Sequence, residues 1–228
     1  MKKIVFGMLL LAALVCVYRV YDAHNFTYRE KLTVTFETPE GVVEASSVIE
    51  RRAWESYVNI AQTGGRYWDK TGEAVVVNLA PERYLFVLRG RPKLIDVMAT
   101  LKIVSGGVEL ENQSEIRNQL SPIRVPRDWM PKMVMFGDID DPTSLAVVEP
   151  EELTTTFGEG YALKSVTMQA TDEPVTEGLV MELLPWLEAR GREHASVKGR
   201  PQGGQMSEHP DAEVYQISPS DFTTELYK

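Results

Sequence analysis

Three aspartates within four residues form the part of this sequence best suited to holding a metal ion. Asp138, Asp140 and Asp141 stand in the run from Gly137 to Ser144, which reads Gly-Asp-Ile-Asp-Asp-Pro-Thr-Ser. Hard cations such as Ca²⁺ and Mg²⁺ prefer carboxylate oxygens as ligands, although the glycine and distal glutamate of an EF-hand are missing from their places. The same run also fits an Asp-Pro turn in which an aspartate accepts hydrogen bonds from backbone amides. We favour the turn and keep the metal site as the alternative.

The residue types that other kinds of catalysis need are scarce. The only cysteine is Cys16, inside an apolar segment, and the three histidines lie beside that segment or near the C-terminus: His24, His194 and His209. A Ser-His-Asp triad needs a histidine held by a packed scaffold. The sequence contains no phosphate-binding loop, dinucleotide fingerprint or nucleophile elbow. We therefore predict a non-enzymatic protein without a cofactor. The alternative is an exported hydrolase or metal-dependent enzyme that uses the three aspartates.

The charge of the chain argues against a nucleic-acid partner. The 228 residues carry a net charge of −9. The first 22 residues contain Lys2, Lys3, Arg19 and Asp22. Without them, 21 basic and 32 acidic residues remain, and the net charge from residue 23 onward is −11. Nucleic-acid binding requires basic side chains that neutralise phosphates, and an acidic body repels them.

Residues 1–22 have the pattern of a membrane signal anchor. Lys2 and Lys3 precede an uncharged run of 15 residues, Ile4 to Tyr18, which ends at Arg19. As a helix this run spans about 22 Å, and flanking side chains extend it toward the interface. We favour an uncleaved transmembrane helix over a cleaved signal, because the nearest small residue, Ala23, follows a bulky Tyr-Asp pair. The two lysines place the N-terminus in the cytoplasm. The predicted location is the inner (cytoplasmic) membrane, single-pass, with the rest in the periplasm or outside the cell.

Residues 23–190 predict an exported α+β domain. Alternating apolar residues in Lys31–Glu37, a Thr-Pro-Glu-Gly turn at 38–41 and a returning strand predict a first hairpin, and Glu73–Leu88 predicts a second. Further strands are expected at 132–136, 144–148 and 161–171, and helices at 92–104, at 150–157 and after an N-cap at Thr176. The expected fold is a largely antiparallel sheet of about seven strands with two or three helices, in addition to the transmembrane helix.

Residues 191–228 predict a flexible linker followed by a short apolar end. The linker is rich in glycine, proline and polar residues. The end carries the candidate partner-binding side chains Tyr215, Ile217, Phe222, Leu226 and Tyr227. Three interpretations stay open: this end folds back on the domain, docks on a partner as a strand or a helix, or has no structure. Among the four tryptophans, expected mostly in the core, Trp68 in a Gly-Gly-Arg-Tyr-Trp loop is a further candidate for binding a partner.

Several stretches together resemble a group of uncharacterised bacterial envelope proteins with a short N-terminal hydrophobic segment. The stretches are Leu32–Gly41 (LTVTFETPEG), Ser46–Ile49, Asp140–Ser144, Leu163–Thr167, and Thr171–Thr176 before Leu184–Leu187. The likeness covers roughly residues 1–190, and it implies compartment and extent without an activity. Together with the anchor, it predicts a membrane-tethered, exported protein that binds or positions another envelope protein.

Overall fold

The computed structural model of the chain describes residues 6–7, 10–16, 25–55, 66–105, 112–193, 196–199 and 212–227. Within these ranges the protein is α+β, as predicted, with two antiparallel sheets. The described residues contain nine strands where about seven were expected. The first sheet has the order β3-β2-β1-β9-β6 and the second the order β4-β5-β7-β8.

The first sheet is built on one long hairpin. Its strands are β1 (Asn25–Thr38), β2 (Gly41–Glu55), β3 (Arg66–Thr71), β6 (Ile123–Arg124) and β9 (Ala162–Ala170). Even-numbered side chains of β1 are buried and odd-numbered ones partly or fully exposed, the period-2 pattern that the sequence predicted. Gly41, with φ of +131°, closes the expected turn, a backbone conformation that side chains with a Cβ rarely adopt. The hairpin therefore presents one apolar face to the core along its length.

The second sheet is buried on both faces. Its strands are β4 (Val75–Ala80), β5 (Arg83–Val87), β7 (Met133–Phe136) and β8 (Leu145–Val147). Leu85 and Val87 pack with the first sheet in one core, while Phe86 and Val134 pack on the other side in a second core. Short runs that are apolar at every position, as in Met133–Phe136, are typical of strands covered on both faces.

Short helices complete the fold. A helical stretch, α1, covers residues 10–16. The others are α2 (Leu94–Thr100), α3 (Gln113–Asn118), α4 (Leu153–Phe157), α5 (Leu179–Leu183), α6 (Leu187–Arg192), α7 (Ala212–Tyr215) and α8 (Pro219–Phe222). The segments from α5 onward supply Val180, Leu187, Val214 and Phe222 to the second core. The body is thus three layers: a large sheet, a small sheet and a layer of helices.

Two local predictions are wrong. The helix expected at 92–104 ends at Thr100, and Leu101, just beyond α2, is 43 % exposed. Thr176 is not an N-cap, because its backbone N–H donates to Val48 O and its hydroxyl accepts from Val48 N, which attaches this segment to β2. A buried carboxylate from another element performs the capping role instead. Glu73 accepts a hydrogen bond of 2.9 Å from the N–H of Val180 in the first turn of α5.

The predicted anchor and the predicted linker can be compared with the structure only in part. None of the helices among the described residues is long and apolar enough to span a membrane, and most of the predicted anchor lies outside those residues. The predicted start of the linker, residue 191, falls inside α6, where Gly191 is buried against Leu226. Residues 200–211, the glycine- and proline-rich centre of the predicted linker, also lie outside the described residues.

Candidate functional site

The three candidate metal ligands form a hydrogen-bonded turn. The Asp141 carboxylate accepts hydrogen bonds from the N–H and hydroxyl of Thr143 at 2.8 and 2.7 Å, and these bonds lower the pKa of Asp141. Asp138 accepts from the N–H of Asp140 at 3.0 Å, and the Ser144 hydroxyl donates to the Asp138 and Asp141 carbonyls. Among the described residues, no three His, Cys, Asp or Glu side chains are grouped so as to hold one metal ion. The geometry is that of the turn rather than of a cation site.

This turn predicts that Asp141 contributes to stability and that Asp140 does not. Asp141→Ala should lower the melting temperature, because it removes two hydrogen bonds to Thr143. The lowered pKa means that this contribution is present above the ordinary pKa of an aspartate and is lost as the pH falls through the lowered value. Asp140→Ala is the matched control and should melt close to wild type. A rise in the melting temperature of wild type on adding Ca²⁺, abolished by chelator, would restore the metal interpretation.

The candidate partner-binding side chains of the C-terminal end are largely used by the protein itself. Phe222 is 0 % and Ile217 3 % exposed, both in the second core. Tyr215 is half-buried, with the Lys198 ammonium 5.8 Å from its ring centre, and Leu226 packs on Gly191. Tyr227 lies in a 3-10 turn at the end of the described chain. The fold-back interpretation is therefore the one that the structure supports for Ile217 and Phe222, and these two are corrected from partner-binding to core residues.

Trp68 is not in a loop. It lies in β3, where it pairs with Ala53, is partly buried against the first core, and has the Lys93 ammonium 4.3 Å from its ring centre. At this distance the ammonium makes a cation–π contact and the Lys93 side chain covers one face of the ring. The structure thus does not place Trp68 together with the C-terminal candidates.

A buried ionic network links the layers. Glu30 accepts 2.7 Å hydrogen bonds from Arg51 Nε and from the N–H of Leu94. Arg51 donates to the Arg89 carbonyl, and Arg89 donates to the Ser220 carbonyl in α8. Burial acts to lower the pKa of Arg51, but the charge and hydrogen bond of Glu30, together with the charges of Tyr28 and Asp96, outweigh it and the pKa is raised. The network joins both sheets, α2 and the C-terminal segment, so its role is structural.

Lys70 lies at the edge of this network. Its ammonium is 4.0 Å from the Asp221 carboxylate. Burial, followed by the charge of Arg89, lowers the pKa of Lys70 to about 8. The charged neighbours of this amine are Arg89 and Asp221 of the same chain, and we assign Lys70 no catalytic or binding role.

The best candidate for a binding site is a groove at the end of the first sheet. It has a volume of about 570 Å³, compared with about 350 and 270 Å³ for two other depressions on the surface. Its volume falls in the range of natural ligand sites. Its floor and walls are mostly apolar: Leu101, Val125, Pro126, Met130, Pro150 and Leu163. Val125 and Leu163 belong to the first core or pack on it, so the base of the groove is firmly held.

The rim of the groove is basic in an acidic protein. Arg124, Arg127 and Lys164 line it, and Glu151 is the one acidic lining residue within the described part of the chain. Arg127 contacts Glu151, and Lys164 lies 3.4 Å from Glu37, but these side chains are 51 to 79 % exposed. Exposed ion pairs contribute about 0–1 kcal/mol, so a ligand carboxylate would compete for these cations at little cost. The rim favours an acidic ligand.

The groove lies next to an open sheet edge. Arg124 belongs to β6, the outermost strand beside β9, and no further strand among the described residues pairs with its other edge. Arg127, in the 3-10 turn of residues 127–129, and Leu101, just after α2, also line the groove. An unpaired strand edge provides backbone groups that an extended peptide can bind.

Local sequence patterns contain almost no sign of this groove. Its lining comes from four segments far apart in the chain, around residues 101, 124–130, 150–151 and 162–165. The one signal is weak: two arginines three residues apart around Val125-Pro126, in a chain with excess acid. Only the fold brings Lys164 and Leu101 to the same place.

Comparisons with known proteins add no function. No protein-family model matches the chain, and no curated protein or solved structure is significantly similar to it. The resemblance to bacterial envelope proteins therefore stays an expectation from the sequence, and the function must be argued from the groove and its surroundings.

Proposed function

We propose that this protein is a membrane-tethered, exported, non-enzymatic protein whose domain binds another envelope protein through the groove. The occupant is an extended segment of the partner that combines apolar side chains with aspartate or glutamate. The single observation that carries the proposal is an apolar groove whose rim holds Arg124, Arg127 and Lys164, on a body with a charge of −11 from residue 23 onward.

The chemistry of the groove favours a peptide over other ligands. The apolar lining supports burial of side chains, the basic rim attracts carboxylates, and the edge of β6 offers main-chain hydrogen bonds. Leu101 is 43 % exposed and provides apolar area in the groove that a partner would cover. A hydrolase would need a nucleophile activated by a base in the groove, and its described lining offers one hydroxyl, Ser165, and one carboxylate, Glu151, which pairs with Arg127, but no histidine or cysteine.

The proposed compartment rests on the N-terminal sequence pattern. Lys2 and Lys3 before 15 uncharged residues support an anchor with its N-terminus in the cytoplasm, which places the domain in the periplasm or outside the cell. There the partner would be another protein of the envelope.

A displayed library of random peptides tests the proposal and does not require the partner to be identified. The full-length chain in lipid nanodiscs serves as bait. We expect enriched peptides to combine apolar and acidic residues, and their affinity to fall more than about tenfold on Leu101→Asp, because the charge lies in the groove and repels carboxylates.

Leu120→Asp is the matched control, since Leu120 is also an exposed leucine, at 59 %, and does not line the groove. The selected peptides should bind this variant like wild type. Failure to enrich any peptide, or enrichment of peptides that bind Leu101→Asp as well as wild type, would contradict the proposed function.

A further inference from the structure

Two aromatic rings and a cation cluster at the surface, at the opposite end of the first sheet. Trp54 of β2 pairs across the strands with Tyr67 of β3, and their rings stack with centres 5.7 Å apart. The guanidinium of Arg52 lies 5.7 Å from the Trp54 ring. Trp54 is half-buried, Tyr67 is 41 % exposed and Arg52 is exposed. We call Arg52, Trp54 and Tyr67 the aromatic end of the sheet.

The aromatic end is the part of the sheet that lies next to the proposed anchor. Asn25, the first residue of β1, pairs directly with Trp54. Only residues 23 and 24 separate Asn25 from the end of the predicted anchor at residue 22. Three residue steps of extended chain span at most about 11 Å. If the anchor crosses the bilayer, Trp54 and Tyr67 cannot be far from the membrane surface.

The chemistry of the aromatic end suits that position. Tryptophan and tyrosine are enriched at the membrane–water interface, where an apolar ring with a polar atom is stable at the level of the headgroups. An arginine beside them is suited to bidentate contact with lipid phosphate. We infer that the aromatic end docks in the phospholipid headgroup layer and fixes the orientation of the domain. This inference rests on the proposed anchor.

This orientation determines where the groove points. Ala162 and Lys164 line the groove beside the last residues of β1, and Ala162 pairs with Glu37. Glu37 is twelve residues from Asn25 along one strand, which corresponds to about 40 Å at 3.3–3.4 Å per residue. The long hairpin would act as a spacer that holds the groove about 40 Å from the bilayer, where a partner can reach it.

Cysteine labelling of the full-length chain tests this inference. Cys16 is the only cysteine, so Cys16→Ser leaves a background for single labels. Asp69→Cys and Glu44→Cys are matched positions: both replace exposed acids on the outer face of the sheet. Asp69 pairs with Arg52, whereas Glu44 is eight residues farther along β2, about 27 Å away. A bimane probe is attached to each introduced cysteine. The labelled chain is placed in vesicles of phosphatidylethanolamine and phosphatidylglycerol that contain a lipid with a nitroxide headgroup.

We expect the nitroxide to quench the probe at residue 69 and not at residue 44. Trp54→Ala with Tyr67→Ala should abolish the difference, and Trp54→Phe with Tyr67→Phe should retain it. Equal signals at 69 and 44 in a chain that floats with the vesicles would overturn the docking alone. A chain that does not float with vesicles would overturn the anchor and the docking together, while leaving peptide binding by the groove to its own test. Should the alanine variant not fold, the comparison of residues 69 and 44 with both rings in place decides.

Discussion

Phe222→Ala is expected to lower the free energy of unfolding by about 3–5 kcal/mol, the usual cost of removing a buried phenylalanine. Phe222 is fully buried, and its ring lies 5.6 Å from that of Phe86 and 6.0 Å from that of Phe136. Its backbone also pairs with the body, because its carbonyl accepts a 2.7 Å hydrogen bond from the N–H of Ala74. Urea unfolding of the full-length chain in detergent measures the change.

Glu213→Ala is a useful control, since Glu213 lies in the same C-terminal segment but its side chain is 70 % exposed and pairs with Lys132 at the surface. It should change the stability by no more than about 1 kcal/mol. If Phe222→Ala leaves the stability intact, residues 212–227 do not form the third layer, and the alternative of a free partner-binding end returns.

Glu30→Ala is expected to cost a similar amount, about 3–5 kcal/mol, because it leaves a buried arginine without its counter-charge. The Glu30 and Arg51 side chains are 0 and 5 % exposed, and Glu30 also accepts the N–H of Leu94 at the start of α2. Burial, and then the charge of Glu30, raises the pKa of the adjacent Tyr28 well above its ordinary value. The interior therefore tolerates Arg51 as a cation only with this carboxylate present.

The neighbouring pair of Arg29 and Glu50 provides the control. Its atoms are 3.0 Å apart, but the two side chains are 39 and 33 % exposed. Glu50→Ala should cost at most about 1 kcal/mol, which is typical of exposed pairs. Equal effects of Glu30→Ala and Glu50→Ala in thermal and urea unfolding would show that burial does not determine the contribution of the network.

Local sequence patterns predicted seven of the nine described strands, missed β3 and β6, and predicted the layers poorly. The alternation in β1 specified the first hairpin, and the apolar run Met133–Phe136 specified a strand. The C-terminal part of the third layer was missed because the glycine- and proline-rich residues around 199–210 resemble a linker and separate Phe222 from the core that it fills. Burial of such a residue depends on contacts with Phe86 and Phe136, which no local pattern contains.

The candidate site was beyond local patterns for the same reason. The three aspartates drew attention because they are close together in sequence, yet the carboxylates of Asp138 and Asp141 accept hydrogen bonds within their own turn. The groove has no such adjacency, since Leu101, Arg124 and Lys164 meet only after α2, β6 and β9 have packed. The groove is distinguished by its basic rim on an otherwise acidic protein, and not by a sequence motif.

The affinity of one selected acidic peptide for matched arginine variants tests the central claim most directly. Titration calorimetry compares the wild-type chain, Arg124→Ser with Arg127→Ser, and the control Arg190→Ser with Arg192→Ser on α6, where Glu193 and Glu188 pair with these arginines at the surface. We predict that the groove variant loses more than about tenfold in affinity and depends less on salt, because rim cations attract the peptide carboxylates. The α6 variant should bind like wild type. Equal affinity and equal salt dependence of all three proteins would contradict the account.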